Sequence, residues 1–279
     1  MIIFRKISTK YDKSSDFLVS ICYNIRISKK WGVYMNNINK ILKIYQNELV
    51  NINDELKKMP TGRLVRRNNA FYHWQPDTEI GITRNKALVR RLCRKKYLQL
   101  RKKQIEANLK VSINKLNTKT AHELIDKLSS PYKFVPRNYF YNPAIDTWLN
   151  KSYEKNPLPI KGMTYYSMNK VEFRSKSEVL IANELEKYEL PYLYEVALLL
   201  GSQRMYPDFI IKNPYNNRTI IWEHFGAVHK EEYEMKMNDK MAAFRKAGYI
   251  LGENLIYTFE ADIADASRIS ELIEEVILR

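Results

Sequence analysis

The chain has 279 residues, of which 45% are hydrophobic and 12% aromatic, and a net charge of +16. This length can bury the core of one or two modest domains, and the composition excludes a disordered chain. Cys22 and Cys93 match no metal-ligand spacing and cannot supply a disulfide framework. Because the start has no secretory pattern and no apolar run reaches the ~20 residues of a membrane helix, we expect a soluble, cytoplasmic protein.

The positive charge is concentrated in the first half of the chain. Residues 1–150 carry 30 Lys+Arg against 11 Asp+Glu, a net of +19, whereas residues 151–279 carry 17 against 20, a net of −3. This asymmetry is typical of a polyanion-binding module joined to a module with another task. Because phosphate contacts dominate nonspecific affinity, nucleic acid is the expected partner. A membrane surface is disfavoured, since no long basic helix carries a bulky apolar face.

The first elements in chain order are a helix and a small sheet. Residues 1–34 are a poorly defined extension, and apolar residues at helical spacing follow from 38 to 56. Two short runs, Arg63–Arg67 and Ala70–Trp74, flank an Asn-Asn pair and predict a hairpin. A third strand is expected near residues 79–83.

A long basic helix is predicted next, from about Asn85 to Leu109. Its apolar stripe, Val89, Cys93, Tyr97 and Leu100, is narrow, and Glu106 is its only acid. A solvated charged face is the ordinary interpretation, but like charges at this spacing repel and favour a polyanion partner. We therefore interpret residues 35–125 as a basic nucleic-acid-binding region of helix–hairpin–helix type. Its candidate contact residues are Arg66, Arg67, Arg90, Arg91, Arg94, Lys95, Lys96, Arg101 and Lys102.

Residues 126–164 form a Pro/Tyr-rich stretch that we expect to be an extended, ordered linker. From residue 165 onward the pattern is helix, three strands, helix, strand, helix. The strands are apolar without clean alternation, which predicts a sheet covered on both faces. The predicted elements are a helix at 174–188, strands at 192–200, 205–212 and 218–226, a helix at 231–246, a strand at 254–260 and a helix at 267–278.

Two acids interrupt the apolar strands of this C-terminal module. Asp208 lies in Tyr-Pro-Asp-Phe-Ile-Ile, and Glu223 lies in Ile-Ile-Trp-Glu-His-Phe-Gly. A desolvated carboxylate must be paired, protonated or bound to a cation. Two of them on neighbouring strands suit a hard divalent metal. Pairing with Arg204 or Arg218 at a strand end is the alternative.

Glu178 has two interpretations of similar weight. Ser175 followed by Glu178 satisfies the capping-box pattern. However, Ile181, Ala182 and Leu185 lie at i+3, i+4 and i+7, so Glu178 shares the buried face of its helix. An acid directed at the sheet fits a metal or water ligand.

These residues resemble the PD-(D/E)XK, or restriction-endonuclease-like, nuclease superfamily. The resemblance is closest to a bacterial group with a basic hairpin–helix region before the nuclease-like part. It covers residues 165–279 at the superfamily level and extends to about residue 38 for the closer group. It implies an α/β (α+β) fold whose mixed central sheet is flanked by helices. The residues that carry it are Arg174-Ser-Lys-Ser-Glu178, Pro191-Tyr-Leu-Tyr-Glu195, Tyr206-Pro-Asp-Phe209, Trp222-Glu-His-Phe-Gly226, Tyr233 and Lys240.

The resemblance also implies a site and a reaction. Asp208 and Glu223 would bind Mg²⁺, with Mn²⁺ as an alternative, and the backbone carbonyl of His224 would be a further ligand. Glu178 would join through a water or a second metal. The metal would polarise the scissile phosphate and lower the pKa of the attacking water.

One residue departs from the motif. The lysine expected two residues after Glu223 is replaced by Phe225, and His224 points to the opposite face of a regular strand. Lys240 is the candidate substitute, because it shares a helix face with Tyr233, Met237 and Phe244. The alternative for Lys240 is a solvated helix lysine.

The sequence thus predicts a Mg²⁺-dependent nuclease that acts on DNA, the preference over RNA coming from the resemblance alone. The main alternative is an inactive nuclease-fold adaptor or regulator that binds DNA without cutting it. An RNA-binding or RNA-processing protein is a third interpretation, which the 20 tyrosines favour because they could stack on bases. A scaffold without nucleic-acid affinity is the fourth.

Overall fold

The computed structural model describes residues 34–111, 115–159, 162–226 and 231–278. The chain divides into two compact units, Met1–Leu49 and Val50–Arg279. The expected extension over residues 1–34 lies outside the described residues except for Tyr34. From residue 50 onward, the predicted basic region, linker and C-terminal module belong to the second unit.

A three-stranded antiparallel sheet and a long helix form the basic region. Helix α1 (Tyr34–Lys57) precedes strands β1 (Arg63–Arg67), β2 (Ala70–Gln75) and β3 (Thr78–Gly81), in that spatial order. Asn68 and Asn69 both have positive φ, 46° and 64°, as a two-residue hairpin turn requires. Helix α2 (Lys86–Asn108) follows, and the Asn85 side chain caps its first turn.

The Pro/Tyr-rich stretch follows α3 (Ala121–Asp126), and its first part is helical rather than extended, which corrects the prediction there. It contains 3₁₀ turns at Tyr132–Phe134 and Arg137–Phe140, and α4 (Ala144–Leu149). Phe140 and Ile145 are 1% and 2% exposed, and the second 3₁₀ turn packs on α2. Burial of these apolar side chains therefore folds the stretch against the basic helix.

The C-terminal module is built on a four-stranded mixed sheet. A two-stranded ladder, β4 (Tyr165–Tyr166) with β5 (Glu172–Phe173), precedes α5 (Lys176–Lys187). The sheet has the order β11-β10-β9-β6, in which β10 runs parallel to β11 and antiparallel to β9, and β9 runs antiparallel to β6. Its strands are β6 (Tyr192–Tyr194), β9 (Phe209–Lys212), β10 (Thr219–Phe225) and β11 (Leu255–Phe259), with α6 (Glu231–Lys246) between β10 and β11.

Two predicted strands are each divided in two. A separate hairpin, β7 (Leu198–Leu200) with β8 (Gln203–Met205), leaves the main sheet. The division follows Glu195, whose φ of 46° is left-handed and ends the extended run of β6. The chain closes with α7 (Glu260–Ile263), α8 (Ala266–Leu272) and a π-helical turn, Ile273–Ile277. The predicted mixed α and β class is confirmed.

The core of the module lies on both faces of this sheet, as its apolar strands predict. Trp222, Phe209 and Ile211 are fully buried, and Ile181 and Leu185 of α5 are buried as well. On the other face, Met237 and Phe244 of α6 are 2% and 0% exposed. No helix among the described residues is long and apolar enough to cross a lipid bilayer.

Candidate functional site

Asp208 and Glu223 meet where β9 begins and β10 ends. The last antiparallel pair between these strands is Phe209 with Trp222, so the next position outward sets Asp208 opposite Glu223. Asp208 Oδ2 accepts a 2.7 Å hydrogen bond from the backbone N–H of His224. In a strand the N–H and C=O of one residue face the same neighbour, so the His224 carbonyl is directed to the same side.

Glu223 is the most buried acid of the site. It is 1% exposed, its Oε2 accepts from Nζ of Lys240, and its Oε1 is buried with no hydrogen-bond donor among the described residues. Burial, and next the charge of Asp208, raise the pKa of Glu223 well above its usual value. A buried carboxylate oxygen without a donor is costly, so this site favours an additional cation or a proton.

Lys240 reaches the site from α6. Its ammonium contacts Glu223 and lies 3.4 Å from the carbonyl of Tyr206, and its side chain is 25% exposed. The structure therefore brings together Lys240 and the two strand acids, as the candidate substitution requires. The predicted apolar neighbours Met237 and Phe244 are buried on the same helix, and the side chain of Tyr233 lies outside the described residues.

Phe225 occupies the strand position of the motif lysine, and it belongs to the core. It is 4% exposed and its ring packs 5.6 Å from Tyr257 and 5.9 Å from Phe259. A charged side chain at this position would be desolvated among aromatic rings. Supply of the cation from α6 is compatible with an apolar residue here.

Glu178 forms the predicted cap, and its carboxylate is close enough to Asp208 for the two charges to interact. Its Oε2 accepts from the backbone N–H groups of Arg174 and Ser175, each at 3.1 Å, and from the Tyr194 hydroxyl at 2.8 Å. The capping box with Ser175 is thus formed. Burial, and next the charge of Asp208, raise the pKa of Glu178. The three donors fix Oε2 and leave Oε1 out of these bonds, so the cap positions the carboxylate towards Asp208.

Glu195 is an acid near this site that the candidate set does not include. Its charge raises the pKa values of Glu178 and Asp208, although burial is the larger cause for both. Its carboxylate accepts from Arg174 Nε at 2.6 Å and from Asn156 Nδ2 at 2.9 Å. Glu195 ends the motif Pro191-Tyr-Leu-Tyr-Glu195, and its partner Arg174 begins the motif Arg174-Ser-Lys-Ser-Glu178. This placement in the two motifs is the sequence signal that could have identified Glu195. Because both oxygens are occupied, Glu195 positions the site rather than completing it.

The alternate residues of the Trp-Glu-His-Phe-Gly motif face α5 and α7. His224 lies within 3.2 Å of the Thr258 hydroxyl and 3.3 Å of Glu260 Oε1, which also accepts from Ser177 at 2.9 Å. As strand alternation predicts, His224 points away from the Glu223 side. A Cβ at Gly226 would lie 2.9 Å from Glu260 Oε1, a contact that a small shift of the exposed Glu260 side chain would relieve.

The site fits a hard divalent cation by its donors. Among the described residues, no group of three or more His, Cys, Asp or Glu side chains is arranged to hold a metal ion. Asp208, Glu223 and the His224 carbonyl nevertheless offer oxygen donors, and one oxygen of Glu223 is without a donor. Burial raises the pKa of Asp208, although Lys240 and the His224 N–H oppose the shift. Oxygen ligands of this kind are those that Mg²⁺ prefers.

The candidate nucleic-acid residues fall into two groups. Arg94 is 3% exposed and donates to Glu55 and to the carbonyls of Phe140 and Tyr215, and Lys95 donates to the carbonyls of Pro60 and Gly62. These two cations stabilise the fold, and a phosphate cannot reach Arg94 while its contacts persist. The other candidates are partly or fully exposed: Arg66, Arg67, Arg90, Arg91, Lys96, Arg101 and Lys102.

Comparison with known proteins finds a similarity to an uncharacterised protein over about a third of the chain. No protein-family profile matches the chain, and no solved structure is similar to it at a significant level. Over 91 residues, 32% of this chain, it is 29% identical to an uncharacterised protein from Methanocaldococcus jannaschii. The match covers only 8% of that protein's length.

Proposed function

We propose that the protein is a metal-dependent nuclease that hydrolyses phosphodiester bonds in DNA. The observation that carries the proposal is Glu223, a buried carboxylate with one oxygen on Lys240 and the other without a donor, beside Asp208. An acid pair with an adjacent lysine at the end of two strands suits hydrolysis of a phosphate ester assisted by a metal.

The order of elements supports the same proposal. Apart from the separate β7–β8 hairpin, the main sheet and its helices follow the order α5-β6-β9-β10-α6-β11, with β10 and β11 parallel and the other neighbours antiparallel. This order is compatible with the α-β-β-β-α-β series that the resemblance to the PD-(D/E)XK nucleases implies. Asp208 directly precedes the second strand of that series, Glu223 lies on the third strand, and Lys240 lies on the following helix. The chain departs from the nuclease motif at Phe225, which stands where the motif has a lysine. In this proposal Lys240 supplies the same positive charge from α6.

Each residue has a separate task in the proposed reaction. Asp208, Glu223 and the His224 carbonyl would hold Mg²⁺ or Mn²⁺, which when bound polarises the scissile phosphate and lowers the pKa of the attacking water. Lys240 provides a positive charge next to Glu223, where negative charge increases in the transition state. Glu178, fixed by its cap, orients a water through its remaining oxygen. The exposed cations of the basic region bind phosphates.

Cleavage assays test this proposal directly. Supercoiled plasmid, linear duplex, single-stranded DNA and RNA are incubated with Mg²⁺, Mn²⁺ or EDTA. We expect cutting of DNA that requires metal and falls ~10³-fold or more in Asp208→Asn and Glu223→Gln, since metal assistance supplies several kcal/mol. Lys240→Ala should lose activity as well, whereas Lys236→Ala, an exposed lysine on the same helix, should not.

The controls separate the alternatives. Salt-sensitive DNA binding with no cutting under any metal condition contradicts the nuclease and supports the inactive adaptor. Cutting confined to RNA supports the RNA-processing alternative. Full activity in Lys240→Ala contradicts its assigned role while leaving the acids in place.

A further inference from the structure

The three-stranded sheet of the basic region has one covered and one open face. Leu64 is 2% exposed on the covered face, and Lys95 of α2 binds the Pro60 and Gly62 carbonyls beside β1. Because paired residues share a face and neighbours alternate, the register fixes the opposite face. We call this the open face, and its side chains are Arg63, Val65, Arg67, Tyr72, Trp74 and Glu79.

Charged groups lie outermost on the open face. The Arg63 guanidinium lies 4.6 Å from the centre of the Trp74 ring, and Arg67 forms a 2.8 Å ion pair with Glu79. Arg67 is 61% and Glu79 25% exposed, whereas Tyr72 and Trp74 are only half-buried beneath them. Gly81, paired with Tyr72, adds no side chain to this surface. The open face thus presents hydrogen-bond donors and an acceptor on an aromatic support.

This chemistry matches base edges better than base faces. Single-stranded nucleic acid is bound by aromatic rings that are free to stack, and here Arg63 covers the indole of Trp74. In the major groove, guanine offers two acceptors to an arginine fork and cytosine offers a donor to a carboxylate. Three strands at a ~4.8 Å spacing span about 10 Å, which fits a groove ~12 Å wide.

We propose that the open face reads base edges in the major groove of duplex DNA. Arg63 donates to guanine. Arg67 and Glu79 exchange their mutual ion pair for contacts with the bases, Arg67 donating to guanine and Glu79 accepting from cytosine. The exposed cations at the start of α2, Arg84 and Lys86, contact the flanking phosphates and set the position of the sheet. This inference rests on the proposed function, because it defines the substrate of that nuclease as duplex DNA of preferred sequence.

Selection of binding sites from randomised duplex DNA tests the inference. The full chain is used in EDTA, so that binding is measured without cutting. We expect the wild type to select a short consensus containing G·C pairs. Arg67→Lys keeps the positive charge but loses the planar, two-donor guanidinium, and should reduce discrimination at one position tenfold or more. Glu79→Gln should alter a neighbouring position.

A matched control and two contrary results make the test decisive. Lys86→Ala, at an exposed cation of α2 assigned to a flanking phosphate, should weaken binding to all sequences equally and leave the consensus unchanged. Absence of any consensus, or a consensus that neither Arg67→Lys nor Glu79→Gln changes, overturns the inference, as does tighter binding of single-stranded DNA. Failure of the nuclease itself is seen separately, as absence of Mg²⁺-dependent cutting by the same preparation.

Discussion

The basic helix α2 and the acidic site at the end of β10 each contain a buried charged side chain, and the two side chains differ in how completely they are hydrogen-bonded. On α2, the buried Arg94 has a carboxylate and two carbonyls as partners. At the end of β10, the buried Glu223 has one partner, and its second oxygen has no donor among the described residues. A satisfied buried charge stabilises a fold, whereas an unsatisfied one is kept at a cost that a ligand can offset. Local charge density alone does not distinguish these cases.

The largest expected effect is on Arg94. Arg94→Met removes the partner of Glu55 and of two buried carbonyls, so we expect a loss of about 3–5 kcal/mol in the free energy of unfolding. Urea unfolding followed by circular dichroism measures it. Lys103→Met, nine residues later on the same helix and exposed, is the control and should change stability by less than about 0.5 kcal/mol. Equal effects of the two variants would remove the distinction between the regions.

Glu223 should respond in the opposite direction. Its pKa is raised in the folded state, so its contribution to stability is present below the usual carboxyl pKa and is lost as the pH rises through the raised value. At pH 7 without metal, Glu223→Gln should therefore be as stable as the wild type, or up to about 2 kcal/mol more stable. Added Mg²⁺ should raise the unfolding midpoint of the wild type and not of the variant. A marked loss of stability in metal-free Glu223→Gln would contradict this account.

His122 is a third case, a buried base next to the aromatic rings of Tyr188 and Tyr215. Burial, and next the charge of Arg137, lower the pKa of His122 to about 3. As the pH falls below ~6.5, His122 is protonated in the unfolded chain but not in the folded one. The stability that is present above pH ~6.5 is therefore lost progressively as the pH falls towards 3. The slope reaches at most about 1.4 kcal/mol per pH unit. His122→Leu should flatten it, as urea midpoints at pH 7, 6, 5 and 4 would reveal; an unchanged slope would contradict the assignment.

The smallest expected effect is on the salt dependence of DNA binding. Lys86→Ala, at an exposed cation of α2, should lower the slope of log affinity against log salt by about 1, because an exposed cation that binds a phosphate releases one counterion. Lys95→Ala should leave the slope unchanged, since Lys95 binds two backbone carbonyls and burial lowers its pKa. Equal slopes for both variants would mean that the intramolecular contacts do not decide which cations bind phosphate.

Local sequence patterns predict much of the fold. The helix expected from Asn85 to Leu109 is α2, Lys86–Asn108, because apolar spacing and an Asn cap are local signals. The Asn-Asn hairpin agrees with the structure for the same reason. Glu195 has a left-handed backbone conformation although it is not a glycine. The sequence therefore contains no turn signal at this position, and the division of the strand could not be predicted.

The site is partly predictable and partly dependent on distant partners. Asp208 and Glu223 are visible as acids in apolar strands, and Lys240 as a cation on an apolar helix face. The different fates of Arg94 and its exposed neighbours are set by Glu55 and Tyr215, 39 and 121 residues away in the chain. No pattern within α2 records those contacts. The sequence of α2 therefore indicates a uniformly basic helix. In the structure, some of its cations stabilise the fold through intramolecular contacts and others lie on the surface.

The bond from Arg94 to the Tyr215 carbonyl has a consequence for protein engineering. It joins α2 to the loop between β9 and β10, and the ring of Tyr97 packs against the same tyrosine at a tilt, with 5.0 Å between the ring centres. A chimera in which only the basic region is replaced would lose this contact between α2 and the loop. The buried Arg94 guanidinium, or the Tyr215 carbonyl, would then have no partner there. A unit designed for transfer to another protein must therefore include both α2 and the loop between β9 and β10.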